Sequence, residues 1–451
     1  MRDSAVVHGC LRTEVTVKDL DERPERDQGI QQKTDKEKPR GALYGERYRV
    51  IVTTDIGGSD PDDFQSMVHY LLYSDLFDTE GLVSSAWGDG RKADILSVID
   101  AYEKDYPALR ACSPAYPAPD ALRTICCQGA VDFAPWKGWS VPTEASRLII
   151  DCARKPDPRP LYLLMWGLLE DLAQALHDAP DIAPKLRVIY IGGPNKKWGP
   201  NAYAYIRRCF PDLWIIENNS AYRGWFCGGY MERDYGNESF PAEHISPAGA
   251  LGAFFMSKMP AIKMGDTPTV AYLLYGDPED PTGESWGGSF ERVRNMPCGV
   301  LEYPFAAVPC VETFSVSEVR FRAGETKPTE KPVFDAEIRG QHFEGFSLGG
   351  GIYAFRFVPK ETGDFAFVIR SRIAGLDGLT GTIRVTEETK EARSEGPLTS
   401  WYSDRLEPEL SEGPHKGAKT VSKWRKAYLD SFRDRLERCL PGRPDGEAEN
   451  G

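Results

Sequence analysis

The sequence predicts an α/β protein built on a parallel sheet, with an inserted all-β sandwich of immunoglobulin-like type. Three observations carry that expectation. From Tyr48 to Asn219, mostly apolar runs of strand length alternate with stretches of helical periodicity, the pattern of a parallel sheet covered on both faces. From about Glu312 to Glu388 the texture changes to short segments of alternating polarity between Gly-, Pro- and Lys-rich turns, which reads as a sandwich. Polar residues, finally, gather where the apolar runs end, and in open α/β sheets that edge is where ligands bind.

Residues 1–42 are charged, Gln-rich and poor in large apolar side chains, so they read as a disordered leader. The α/β domain spans 43–300. Its strands are predicted in "RYRVIVTTD", "DTEGLVSSAWGDG", "RPLYLLMWG", "KLRVIYIGG" and "DLWIIENN". Its helices are predicted in "DDFQSMVHYLLYS", "KADILSVIDAYEKDYPAL", "TEASRLIIDCARK", "LLEDLAQALHDA" and "NAYAYIRRCF". In the sandwich, residues 310–390, the aromatics Tyr353, Phe355, Phe357, Phe365 and Phe367 fall at period two and read as core. A C-terminal segment, 398–440, holds one helix from about Ala418 to Leu436 with an apolar stripe of Val421, Trp424, Tyr428, Leu429 and Phe432. A two-sheet sandwich already buries its inner faces, so this stripe is expected to pack back on the α/β domain. Residues 441–451 read as a disordered tail.

Composition narrows the function. A net charge of −13 argues against nucleic acid or an anionic membrane as partner. No apolar run reaches the roughly 20 residues needed to span a bilayer. The first residues lack an apolar signal core, which points to the cytoplasm, with secretion left open should the true start lie elsewhere. Ten cysteines without metal-ligand spacing read as buried free thiols.

The chemistry concentrates in "VIVTTDIGGSDPDDFQS", residues 50–66, where Asp55, Asp60, Asp62 and Asp63 fall within nine positions. Crowded carboxylates repel one another, and a hard cation bound through oxygen would offset that cost. A solvated acidic turn opening a helix is the plainer alternative, because helix N-termini favour acids. Asp89, the Trp166–Gly167 turn, Gly192–Gly193, Glu217 and Asn219 end the neighbouring predicted strands, which favours the ligand-binding reading.

An apolar strand ending in Asp, a Gly-rich turn and Asp-Asp opening a helix resembles the inosine-uridine nucleoside hydrolase superfamily. "TTDIGGSDPDD" is closest to its nucleoside-hydrolase-like branch, some members of which are described as cellulose-binding. "PLYLLMWGLLEDLAQAL", "FPDLWIIENNSAYRG", "GDTPTVAYLL" and "SWGGSFERV" fit the same branch in order and spacing. The resemblance implies a nucleoside-hydrolase-like α/β domain that holds Ca²⁺ and hydrolyses a glycosidic bond, an aspartate activating metal-bound water. It assigns Asp55 to metal binding and to the base, Asp63 and Asp266 to the metal, and Glu170 to the position that offers a backbone carbonyl. Asp62, Asp89, Glu217 and Asn219 fall at sugar-contacting positions. Trp286, and Trp225 with it, are candidates for lining the cleft. The "GGGIYAFRF" segment resembles a β-module that accompanies glycoside hydrolases.

Two departures bear on the substrate. Thr53 stands where the superfamily usually has a first aspartate, and Gly265 where a histidine commonly helps the nucleobase leave. The expected activity is therefore calcium-dependent hydrolysis of an N- or O-glycosidic bond in a ribose- or furanoside-like sugar. The partner is a small-molecule or oligosaccharide glycoside, and homo-oligomerisation is left open. A non-catalytic carbohydrate-binding protein using the same cleft and sandwich is the alternative.

Overall fold

The apolar runs become strands β1 (Tyr48–Thr54), β2 (Phe77–Ser84), β3 (Cys126–Gln128), β4 (Leu161–Met165), β5 (Leu186–Ile191), β6 (Ile215–Asn218) and β7 (Phe290–Val293). Then come β8 (Cys298–Glu302), β9 (Cys310–Glu312), β10 (Val316–Arg322), β11 (Phe334–Ile338) and β12 (Gln341–Gly349). The last are β13 (Ile352–Phe357), β14 (Gly363–Ser371), β15 (Thr380–Thr386) and β16 (Trp401–Asp404). The computed structural model describes residues 40–58, 60–86 and 91–440. Most of the expected leader, the expected tail and Asp89 lie outside the described residues.

The first sheet has the order β3-β2-β1-β4-β5-β6-β16-β7, parallel except for β7. From β1 the chain first builds outward to β2 and β3, then returns to add β4 on the other side of β1. Loops leaving the ends of β1 and β4 therefore diverge and open a crevice between them. β1 is buried from Arg49 to Thr54, and β4 along its whole length, as strands covered on both faces must be. Arg49 is the charged residue among them, and Glu80 answers its guanidinium at 2.6 Å.

The remaining strands build a second sheet. Its strands join edge to edge in the single order β8-β10-β13-β12-β11-β14-β15-β9, mostly antiparallel, with parallel pairs at both ends. It is a second, mostly antiparallel, strand-rich sheet beside the parallel one. Its alternating side chains enclose one aromatic core that holds Tyr353, Phe355, Phe357, Phe365 and Phe367. Val316 and Val358 are buried instead with the parallel sheet. Arg356 reaches across to Asn201 Oδ1 at 2.6 Å and stacks on Trp136.

The C-terminal stripe is split into two helices, Lys419–Ser422 and Arg425–Glu437, by a turn at Lys423 and Trp424. There Trp424 rests against Tyr275, 5.2 Å between ring centroids. Val421, Tyr428, Leu429, Phe432 and Leu436 are buried in the core that also contains Tyr70, Tyr73 and Trp225. The expectation for the thiols holds only in part: Cys126, Cys152 and Cys439 are buried, whereas Cys209, Cys298 and Cys310 are exposed. No described helix is long and apolar enough to cross a membrane.

Candidate functional site

Beyond β1 the chain turns and enters the helix Asp62–Leu72, which is buried along its whole length. Asp62 and Asp63 form its first turn, where unpaired N–H groups and the helix dipole favour carboxylates. Asp266 comes from a distant segment and caps the helix Thr267–Leu274. The three side chains are 9%, 6% and 5% exposed, and one carboxylate oxygen of each lies within 4.8 Å of the other two. Asp55, at the end of β1, lies beside Asp63, close enough for the two carboxyls to act on one another. The sequence reading grouped Asp55, Asp63 and Asp266 around a metal; the structure clusters Asp62, Asp63 and Asp266, with Asp55 alongside.

Burial, then the charge of Asp62, pushes the Asp55 carboxyl up to about 7. Burial, then Asp63, does the same to Asp62, again to about 7. Asp63 is raised by burial and by Asp55, and Asp266 by burial and by the other three. Like charges out of water cannot all ionise unless something positive joins them. Local donors relieve part of this. Thr54 Oγ1 donates to Asp63 Oδ1, and the Gly265 N–H donates to Asp62 Oδ2 at 3.2 Å. Asp266 Oδ2 is buried and has no hydrogen-bond partner among the described residues. An all-oxygen, anionic donor set with one orphaned oxygen fits a hard cation such as Ca²⁺.

These shifts set a pH dependence. Folded values near 7 for Asp55 and Asp62, against an ordinary 3.8, mean that the folded state keeps protons that the unfolded chain has released. That share of stability is complete below about pH 4 and is lost as pH rises through about 7. In chelator, wild type should lose Tm from about pH 5 to about pH 7.5 more steeply than Asp55→Asn, which cannot ionise. Thermal melts across that range check this, and equal slopes contradict it.

Two glycines allow the close approach. A Cβ at Gly167, in the turn after β4, would lie 2.8 Å from the Asp55 backbone nitrogen, so only glycine lets that turn press against the end of β1. A Cβ at Gly265 would lie 2.5 Å from Asp62 Oδ2. With Asp62 so placed, a histidine at 265 has no room.

The aspartates floor a cleft of about 380 Å³ at the crevice between β1 and β4. Trp166, Asn195 and Tyr222 form part of its wall. The Asn195 amide donates to the carbonyls of Trp166 at 2.6 Å and Ile191 at 2.9 Å, which ties the ends of β4 and β5 together. Asp60 pairs with Lys263 at the edge. Gln341 and Lys360 reach the same cleft from the second sheet. The sequence reading named none of these except Asp60 and the Trp166 turn.

Other expected residues sit elsewhere. Glu170, expected to offer its backbone carbonyl, opens the helix after β4; its carboxyl lines a neighbouring cavity, where burial pushes it up to about 8. Glu217 is fully buried; Lys196, Tyr203 Oη at 2.7 Å and Asn219 Nδ2 at 2.9 Å occupy its carboxylate. Trp286 stacks on Tyr275, 5.4 Å between centroids, within the core, and Trp225 stacks on Tyr428 at 3.8 Å. Asp404, which sequence reasoning missed, comes from β16 and accepts the backbone N–H groups of Asn219 and Ser220 at 2.9 and 2.7 Å, so it fixes the loop after β6.

Among solved structures, a nucleoside hydrolase-related hypothetical protein from Saccharophagus degradans, associated with carbohydrate metabolism, is 19% identical with a TM-score of 0.47. That match covers 76% of this chain and 100% of the other. The inosine-uridine preferring nucleoside hydrolase from Bacillus anthracis is 15% identical with a TM-score of 0.36, covering 55% of this chain and 86% of the other. No curated protein matches the chain. A family model described as "Cellulose-binding Sde182, nucleoside hydrolase-like domain" matches residues 49–290, from the start of β1 through the Asp266 helix to β7. Spanning more than half of the sequence and all four clustered aspartates, that match makes the chain a member of this nucleoside hydrolase-like family.

Proposed function

We propose that the protein is a calcium-dependent hydrolase of an N- or O-glycosidic bond in a ribose- or furanoside-like sugar. The observation that carries the reading is the convergence of the Asp62, Asp63 and Asp266 carboxyls, with the buried Asp266 Oδ2 left without a partner among the described residues. Asp62, Asp63 and Asp266 would hold the ion, with Asp55 at its side. When bound, the cation supplies a Lewis acid that acidifies water and grips vicinal hydroxyls. Asp55 takes the proton from the attacking water, since it stands beside the cluster at the open end of β1. The surrounding carboxylates favour the positive charge that develops on the sugar as the bond to the leaving group breaks. The close wall of Trp166 and Tyr222 limits water around the reacting carbon.

One observation favours a second reading. Gly265 carries no side chain that could protonate a departing base, and the family carries a cellulose-binding description. A non-catalytic carbohydrate-binding protein would need the cleft without the chemistry. Release of free sugar from a panel of ribosides and arabinosides, with calcium present, separates the two. Turnover supports the hydrolase, and binding without turnover on every member supports the second reading.

A further inference from the structure

Three cations that line the cleft form no ion pair with a carboxylate among the described residues. Lys197 comes from the helix Gly192–Trp198, Arg223 from the turn after β6, and Lys360 from the turn between β13 and β14. Lys263 is the cleft cation that forms ion pairs, with Asp60 and, at 3.8 Å, with Asp62. The other three form no ion pair within 4.0 Å among the described residues. Lys197 is only 8% exposed, yet its ammonium meets just the face of Trp198, 4.1 Å from the ring centroid. Arg223 donates to the Asn219 carbonyl at 3.3 Å and lies over Tyr222.

After burial, the strongest influence on Lys197 is the charge of Lys360, and on Lys360 that of Arg223. Both lysines are thereby pushed down, Lys197 to about 8. Glu361, the acid that acts on both lysines, is largely exposed and pairs with Arg339 at 3.8 Å. Neighbouring cations without a paired carboxylate cost free energy unless an anion joins them.

We infer that the mouth is an anion subsite, so that the glycoside entering the cleft bears a carboxylate or phosphate held by Lys197, Arg223 and Lys360. This rests on the proposed sugar-binding role of the cleft for the ring itself. It also gives the second sheet a task, because Lys360 brings one of the three charges from there. Charged partners make such contacts selective, since a neutral sugar would leave all three cations unanswered.

The test is calorimetric titration of the full chain, in calcium and at fixed ionic strength, with two matched pairs: glucuronate against glucose, and ribose 5-phosphate against ribose. The first pair probes a carboxylate, the second a phosphate. The charged member of at least one pair should bind about tenfold tighter or better. Lys197→Gln/Lys360→Gln should erase that preference, with calcium binding as the control for folding. Lys360→Gln alone, on a turn, serves if the double variant does not fold, and should reduce the preference. Equal binding within both pairs, or no binding by any of the four, overturns the inference. An anionic preference without turnover or calcium binding removes the hydrolase alone. Turnover of neutral glycosides with no preference removes the subsite alone.

Discussion

Asp55→Asn is expected to lower glycoside turnover by about 10²–10⁴-fold, the usual worth of a positioned base, while sugar binding stays close to wild type. Asparagine keeps the shape of the side chain and one oxygen, but cannot accept the proton. The substitution also removes one of four mutually repelling carboxyls. The variant should therefore melt at or above the wild-type temperature in chelator. This separates lost chemistry from lost folding, because a residue needed only for structure would lower both activity and Tm. Steady-state kinetics beside thermal melts checks it, and unchanged turnover would remove Asp55 from the base position.

Loss of the C-terminal helices should be the most damaging change to stability. Val421, Tyr428, Leu429, Phe432 and Leu436 are each at most 1% exposed. At roughly 1.5–3 kcal/mol per fully buried large apolar side chain, they represent roughly 8–15 kcal/mol, an upper estimate. That matches a domain's whole margin of about 5–15 kcal/mol. Polar ties add to it. The buried Arg425 guanidinium donates to the carbonyls of Tyr235 and Trp225, both at 2.7 Å, and Arg435 pairs with the buried Asp75 at 2.6 Å. A chain ending at residue 414 should aggregate on expression, and Phe432→Ala in the full chain should cost about 3–5 kcal/mol. Denaturant melts measure the second effect. A loss below about 1 kcal/mol would mean that the ring is not packed as described.

Much of the parallel sheet was legible because its signals are local. The apolar runs that became β1, β2, β4, β5 and β6 each carry their own periodicity, and the helices between them do too. The missed strands are short or borrow their partners from far along the chain. β3 has three residues, and β16 pairs with β6 and β7 across long stretches of sequence. Four residues such as "WYSD" carry no period that betrays a strand. β8 and β9 were missed for the related reason that they are short edge strands, each with a single apolar residue, Leu301 or Val311, packed on the core. The inner strands of the second sheet were legible but not their order, since alternation fixes which face is buried and not which edges meet.

The site divides in the same way. Asp55, Asp62 and Asp63 stood out because crowded acids after an apolar run are unusual in a local window. Asp266 needed the family resemblance, because nothing in "GDTP" alone marks a ligand. The cations at the mouth were invisible: Lys197, Arg223 and Lys360 are ordinary residues in sequence, gathered only by the fold. Glu217 and Trp286 illustrate the converse. Each sits at the right place along the chain, but Glu217 turns to a buried lysine and Trp286 to a neighbouring tyrosine.

The most direct measurement is a calorimetric titration of calcium into the full chain at about pH 6 and about pH 8, beside Asp63→Ala/Asp266→Ala. Binding must displace the protons that burial and mutual repulsion hold on these carboxyls, so affinity should rise with pH and protons should be released. Wild type should bind one calcium, more tightly at the higher pH, and the double variant should bind none at that site. Equal calcium binding by wild type and variant, or none by either at both pH values, would contradict the account.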